Sequence, residues 1–427
     1  MARIVVVGAG FAGLSAAARL AKARHEVTLL EASDRLGGAL HGLEIDGHRW
    51  NLHPQTVTTP GVFRDLFRKS GRTMEASLGL TPAGPHRHVF TDGSVLDLPH
   101  GRRSEQHDAV EELAGFDTWS PWVDSLAEVW EVLRRQAYDQ VLTGPDAFDR
   151  EARRLLHPRR MLSSFGKRSF GDPRLLKLVL DPVRHAGLDR GSTPAFVSVW
   201  HYVERAFGHW SFDGDWLGLA AALEKRITER KVDVRLNTRG LALVRDGGQV
   251  VAVETENGRL ECDTVIWCNR SVPAGEQRAP GIPAVPASRT LLRLDGDPPE
   301  LAHETTIHAN PPVVAHRTAP GLWTLEHRSG ENVLTALARV GVDLRDRVIE
   351  RHDLRPAQVV AHVDDGWTWT GWTSMFRRPG VAPRGGLFHA GAHAHPGPRL
   401  EHIGMATAAI AAALGDVPRV PRKQDQV

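Results

Sequence analysis

The stretch from Met1 to Glu31 constrains the fold more than any other. Arg3 to Val7 is a short apolar run. Gly8-Ala9-Gly10-Phe11-Ala12-Gly13 follows without a gap, and Leu14 to Ala23 is an alanine- and leucine-rich stretch with helical character. A second apolar run, Val27 to Leu30, ends at Glu31. Strand, glycine turn, helix, strand and acid in that register spell a Rossmann-type dinucleotide-binding unit. Gly8 permits the tight turn and Gly10 leaves the backbone bare for a pyrophosphate. Gly13 lets the helix pack on the sheet. The helix start at Phe11 and Ala12 presents unpaired N–H groups to the phosphates. Glu31, at the end of the second strand, is placed to accept from ribose hydroxyls and would repel a 2′-phosphate, so NADP is disfavoured. Ala32 and Arg35 follow, and Gly37-Gly38 suggest a second backbone loop crossing near the cofactor.

Composition narrows the setting. A chain of 427 residues has room for two domains with sizeable cores. The net charge of +2 gives no electrostatic case for a nucleic-acid partner. The two cysteines, Cys262 and Cys268, lie too far apart along one extended run to bridge, which fits a reducing compartment. No apolar run approaches the length of a membrane span. The expectation is a cytoplasmic protein acting on a small molecule; a homodimer is one arrangement open to it.

Further along, Leu40 to Leu52 reads as a hairpin around Asp46-Gly47, and Pro60 to Gly71 as an amphipathic helix. His88 to Leu98 reads as a hairpin turning at Asp92-Gly93. Asp108 to Leu188 is mainly helical and reads as an insertion capping a substrate cavity. Leu241 to Trp267 carries three strand-like runs with glycine turns between them. A proline-rich linker, Pro280 to Pro286, leads into further strands over Arg289 to Val340, and Val342 to His352 reads as a helix. Gly386 to Ala390 is a strand and Gly404 to Leu414 a helix.

Four blocks together resemble the phytoene desaturase family of FAD-dependent oxidoreductases, within the wider group of flavin amine oxidases. They are the N-terminal unit through Arg35-Leu36-Gly37-Gly38; Asp46-Gly47 through Pro54 to Thr59; Val199 to Gly208, leading to Val234-Arg235-Leu236-Asn237; and Leu387 to Ala392 with His395-Pro396-Gly397 and Gly404. The resemblance implies an α/β fold, with a discontinuous Rossmann-type FAD domain of the GR2-like kind and an inserted α+β substrate domain. The FAD domain would comprise residues 1–75, 205–285 and 380–427, and the cap 76–204 and 286–379. By the same resemblance, backbone near Leu241 would contact the adenine, and Gly391 and Ala392 would stand at the flavin end. The implied reaction is hydride removal from a C–H bond of an apolar or secondary-metabolite substrate, with FAD as acceptor.

The departures cluster at the flavin end. Ala39 stands where the pattern has Arg, Asn51-Leu52-His53-Pro54 where it has Asp-x-Gly-Pro, and Asp215 and His393 where it has glycines. Bulky groups replace positions where a ring lies flat on backbone. Two readings stay open: FAD in a reshaped pocket near His53 or His393, or a filled ring site in a non-redox relative, an isomerase, a cyclase or a partner subunit. His53, His393 and His395 are the candidates for a base or a flavin-tuning group. His389, His393, His395 and His402 lack cysteine partners and the His-Glu-x-x-His spacing, so no metal is assigned. Trp367, Trp369 and Trp372 read as core packing sooner than an aromatic cage.

Overall fold

The computed structural model describes residues 1–185, 192–271, 273–274, 276, 282–283, 285–363, 367–368 and 371–418. A parallel sheet of five strands organises one half of it: β1 (Arg3–Val7), β2 (Glu26–Leu30), β3 (Asp233–Arg235), β4 (Thr264–Trp267) and β5 (Leu387–His389), in the spatial order β5-β4-β1-β2-β3. The strands come from the beginning, middle and end of the chain. β1 is buried on both faces, and its side chains alternate between two separate cores. Ile4 and Val6 point into one with the helices; Val5 and Val7 point into the other with Val250, Val253 and Trp267. A three-stranded antiparallel sheet, Gly240–Asp246, Gln249–Thr255 and Gly258–Glu261, covers that second face.

The helical face is layered by α1 (Phe11–Lys22), α2 (Pro60–Ser70), α3 (Asp215–Glu229) and α4 (Leu400–Leu414). Alanines 16, 17 and 18 of α1 are buried, so neighbouring helices approach its backbone closely. Ser15 of α1 shares a buried 2.7 Å hydrogen bond with Thr407 of α4. Gly404 of α4 allows that approach too, because a Cβ there would stand 2.6 Å from Val62 of α2.

The other half is a seven-stranded, mostly antiparallel sheet. Its strands run Val348–Leu354, Ser288–Leu294, Leu322–His327, Val313–Ala319, Glu304–Ile307, His86–Val89 and Val95–Leu98 across the sheet. The helices between Arg103 and Phe207 pack as a block beside it, with Trp119, Trp122 and Leu175 in their core.

One expected helix is absent. Val342 to His352 forms a short 3-10 turn at Arg345–Arg347 and then the edge strand Val348–Leu354. Asp343 accepts from the Arg345 N–H at 3.2 Å, and this local bond competes with helix initiation. Pairing along Ser288–Leu294 then takes the rest of the segment. Of the three tryptophans, Trp372 opens the short helix Trp372–Met375 and packs edge-on to Phe148 and Phe376. Trp369, like Pro280, Gly281 and Ala284 of the Pro280 to Pro286 linker, lies outside the described residues, and the Trp367 side chain is not described.

Candidate functional site

The glycine turn does three separate jobs. Gly8 adopts φ +96°, a conformation that favours glycine, and its N–H closes the turn on the Leu30 carbonyl at 2.8 Å. A Cβ on Gly13 would lie 1.8 Å from the Gly8 carbonyl oxygen, so this position is fixed by packing. A Cβ on Gly10 would meet nothing within 4 Å. The space before the first turn of α1 is open, and the backbone N–H groups that start the helix at Phe11 and Ala12 lie beside it. No side chain caps that helix start. The Phe11 ring itself is buried, 6.0 Å from Phe63.

Gly37 and Gly38 cross this opening, as the paired glycines suggested. Gly37 donates to the Ala9 carbonyl at 2.8 Å and bridges Gly10. Their φ values are +97° and +52°, and a Cβ on Gly38 would stand 3.1 Å from the Gly10 Cα. Glu31 braces the same loop. Its Oε2 accepts from the Ala9 N–H at 2.8 Å, and its Oε1 from the Ser33 N–H and hydroxyl, each at 2.9 Å. A carboxylate has about four acceptor positions, so room is left for a ribose hydroxyl. Ala32, Arg35 and Gly38 are exposed around it, and Leu241 is 42% exposed. The Leu241 carbonyl already accepts from the Ala274 N–H at 3.0 Å, so that oxygen is committed within the protein. An adenosine diphosphate fits this end: an open backbone cradle at Gly10, a helix start without a side-chain cap, and an acid at the strand end.

The opposite end is more crowded. Gly391 is buried at φ +138°, and a Cβ on it would lie 3.0 Å from the His393 ring. The imidazole therefore covers the glycine backbone, while Ala392 beside it is half-buried. His389 meets the His393 ring edge-on at 6.1 Å. Burial, and the nearness of His393, push the His389 imidazole down to about 3. His395 does not join them: its Nε2 lies 2.8 Å from the Ala137 carbonyl, and burial pushes it down to about 4. His402 sits edge-on to Trp200 at 4.4 Å and near Tyr138. His53 is half-buried on the loop after Asn51. The Asn51 carbonyl accepts from the Thr324 hydroxyl at 2.8 Å and lies 3.1 Å from His316 Nε2. Asp215 opens α3 with φ +57° and stands 3.6 Å from Arg49.

Sequence reasoning missed a polar seam between the seven-stranded sheet and the helical block. The His100 and His209 rings stack at 3.8 Å. Glu204 is 3.7 Å from His209, 3.9 Å from His201 and 3.4 Å from Arg399. Burial works against charge on Glu204, but His209, Arg399 and His201 outweigh it and hold the carboxyl well below its usual range. The same seam contains His86, His88, Asp181, Glu304 and His308. Burial, with His86 nearby, pushes the His88 imidazole far down. Only His86 and His88, alternate residues on a strand, left a readable trace in the sequence.

The sequence model of a family described as flavin containing amine oxidoreductase matches residues 11–276. The 4,4'-diapolycopene oxygenase of Methylomonas sp. is 28% identical over 332 residues, covering 73% of this chain and 66% of that protein. The zeta-carotene-forming phytoene desaturase of Myxococcus xanthus is 30% identical over 286 residues, covering 64% of this chain and 54% of that protein. The chain thus spans about half to two thirds of the length of these curated relatives. Among solved structures, an oxidoreductase from Methanosarcina mazei aligns with a TM-score of 0.66 at 16% identity, over 96% of this chain and 100% of the other. Cyclohexylamine oxidase from Brevibacterium oxydans aligns with a TM-score of 0.63 at 14% identity, over 97% and 98%. At those identities the likeness concerns the fold.

Proposed function

This chain belongs to the flavin containing amine oxidoreductase family, and on that premise we propose that it is an FAD-dependent dehydrogenase or oxidase acting on a small-to-medium, largely apolar molecule. The resemblance to phytoene desaturase-like members is borne out by the relatives, whose names concern carotenoid-type substrates. One observation carries the cofactor reading: the open cradle at Gly10, bordered by Gly37, Gly38 and Glu31.

When bound, FAD supplies the two-electron acceptor for hydride leaving a substrate C–H bond. The protein's own groups bind and orient. The start of α1 receives the pyrophosphate through backbone N–H groups and the helix dipole. Glu31 receives the ribose and disfavours a phosphate on it. Leu241, Ala32 and Arg35 border the adenosine. We assign residues 1–75, 205–285 and 380–427 to the cofactor domain and 76–204 and 286–379 to the cap, whose sheet and helices exclude water from the reacting carbon.

At the flavin end we place Gly391 and Ala392. Of the three candidate histidines, His393 is the one adjoining them and is proposed to shape the ring site. His395, held against Ala137, acts as a positioning group, and His53 stays a candidate on the opposite loop. The described residues contain no helix long and apolar enough to cross a membrane. A cytoplasmic location suits the two free thiols.

The test is colour. Purified protein should be yellow and release FAD on denaturation. Protein that stays colourless after incubation with excess FAD would overturn the redox reading and favour a flavin-free relative.

A further inference from the structure

The histidines of the seam belong to the seven-stranded sheet and the helical block, and one group of them has the makings of a separate site. His86 and His88 are alternate residues of the strand His86–Val89, so both project from the same face. Their rings stack with centroids 4.4 Å apart. The helix Pro173–His185 brings Asp181 to the same place. One ligand atom from each of the three lies within 4.8 Å of the others.

The surroundings orient these groups. His88 Nδ1 is 3.1 Å from His308 Nε2, and His86 Nδ1 is 3.7 Å from Glu304. The partner at His88 Nδ1 leaves its Nε2 as the ligand position, the arrangement that fixes tautomer and ring angle in histidine metal sites. The Thr306 hydroxyl lies between, 2.9 Å from His86 Nε2 and donating to Asp181 at 3.1 Å. It bridges His86 and Asp181, and an ion bound there would exchange these hydrogen bonds for metal–ligand bonds.

We propose that His86, His88 and Asp181 form a binding site for a divalent transition-metal ion of the zinc class. Two imidazoles and one carboxylate suit zinc, cobalt or iron better than calcium or magnesium, which favour all-oxygen sets. Metal–ligand bonds of ~2.0–2.1 Å place tetrahedral ligand atoms ~3.3 Å apart, so the group closes by at most ~1.5 Å on binding. Three protein ligands leave a position for water or for the Thr306 hydroxyl. His88 and Asp181 are buried, and half-buried His86 gives the side of entry. Since the ligands come from the sheet and from the helical block, the ion would clip the two together.

The experiment uses the full chain without affinity-tag histidines, stripped with chelator and titrated with cobalt(II) chloride. One equivalent should bind, with visible d–d bands of a low-coordinate site and a rise in melting temperature. Asp181→Asn, nearly isosteric, should lose the bands and the rise. Glu304→Gln should weaken binding by ~10-fold or more through the outer partner. Flavin content reports the fold of each variant independently. Should Asp181→Asn not fold, the wild-type spectrum and melting shift decide alone. Wild-type protein with neither bands nor shift, or an Asp181→Asn variant that binds cobalt like wild type, would overturn the site.

Discussion

The carboxylate of Glu31 accepts a hydrogen bond from the backbone N–H of Ala9 at 2.8 Å, across the turn that the glycines make. The residue expected to receive the ribose thus also pins the loop that would receive the pyrophosphate. Glu31→Gln keeps one oxygen acceptor and loses the charge. Charge-assisted bonds of this kind contribute about 1.5–3 kcal/mol, so FAD affinity should fall ~10-fold or more in a fluorescence titration of apoprotein. Unchanged affinity would remove Glu31 from the cofactor site.

Gly10 and Gly13 separate binding from folding. Gly13→Ala drives a Cβ to 1.8 Å from a backbone oxygen, so it should lower stability by roughly 1–3 kcal/mol, read as a fall in melting temperature. Gly10 has φ −70° and open space, so Gly10→Ala should leave apoprotein stability within about 1 kcal/mol. Its FAD affinity should nevertheless drop, because the methyl group stands where the pyrophosphate approaches. If Gly10→Ala binds FAD as wild type does, the cradle lies elsewhere.

His393 tests the crowded end. Replacing it with glycine uncovers Gly391, and FAD content per chain in the purified protein should rise. The flavin absorption bands should also shift as the ring environment changes. A variant identical to wild type in both readouts would show that the imidazole does not border the ring.

Acid should destabilise the protein well before ordinary carboxylates titrate. Burial lowers His389 and His316 to about 3 and His327 and His395 to about 4. These side chains stay neutral in the folded chain but take protons in the unfolded chain below ~6.5. The stability they contribute is complete above that value and is lost as pH falls toward their folded values, by at most ~1.4 kcal/mol per pH unit for each. Glu204, also held low in the fold, adds a loss in the same direction below ~4.5. Melting temperatures measured from pH 7.5 to 5 should decline steadily below ~6.5; a flat profile would mean these histidines are hydrated.

Legibility in the sequence followed the range of the interactions. The unit from Met1 to Glu31 was readable because its turn, helix and strand are contiguous and each glycine has a local reason. The hairpins at Asp46-Gly47 and Asp92-Gly93 were readable for the same cause. Val342 to His352 was misread because the decision lay with a strand more than fifty residues earlier, Ser288–Leu294, which offers its edge. Beyond the alternate pair His86 and His88 the seam was invisible: Thr306 pairs beside His88 only through sheet register, and Asp181 arrives on a helix from the other side. Periodicity along a chain carries no record of such meetings.

The bond between Ser15 and Thr407 has a consequence for biosynthesis. Thr407, on the helix that buries the back of α1, is made 392 positions after Ser15, long after the nucleotide cradle. Until then the alanine-rich face of α1 has α2 and α3 beside it but lacks the cover that α4 provides. Completion of the cofactor half therefore waits on the segment that carries β5 and α4.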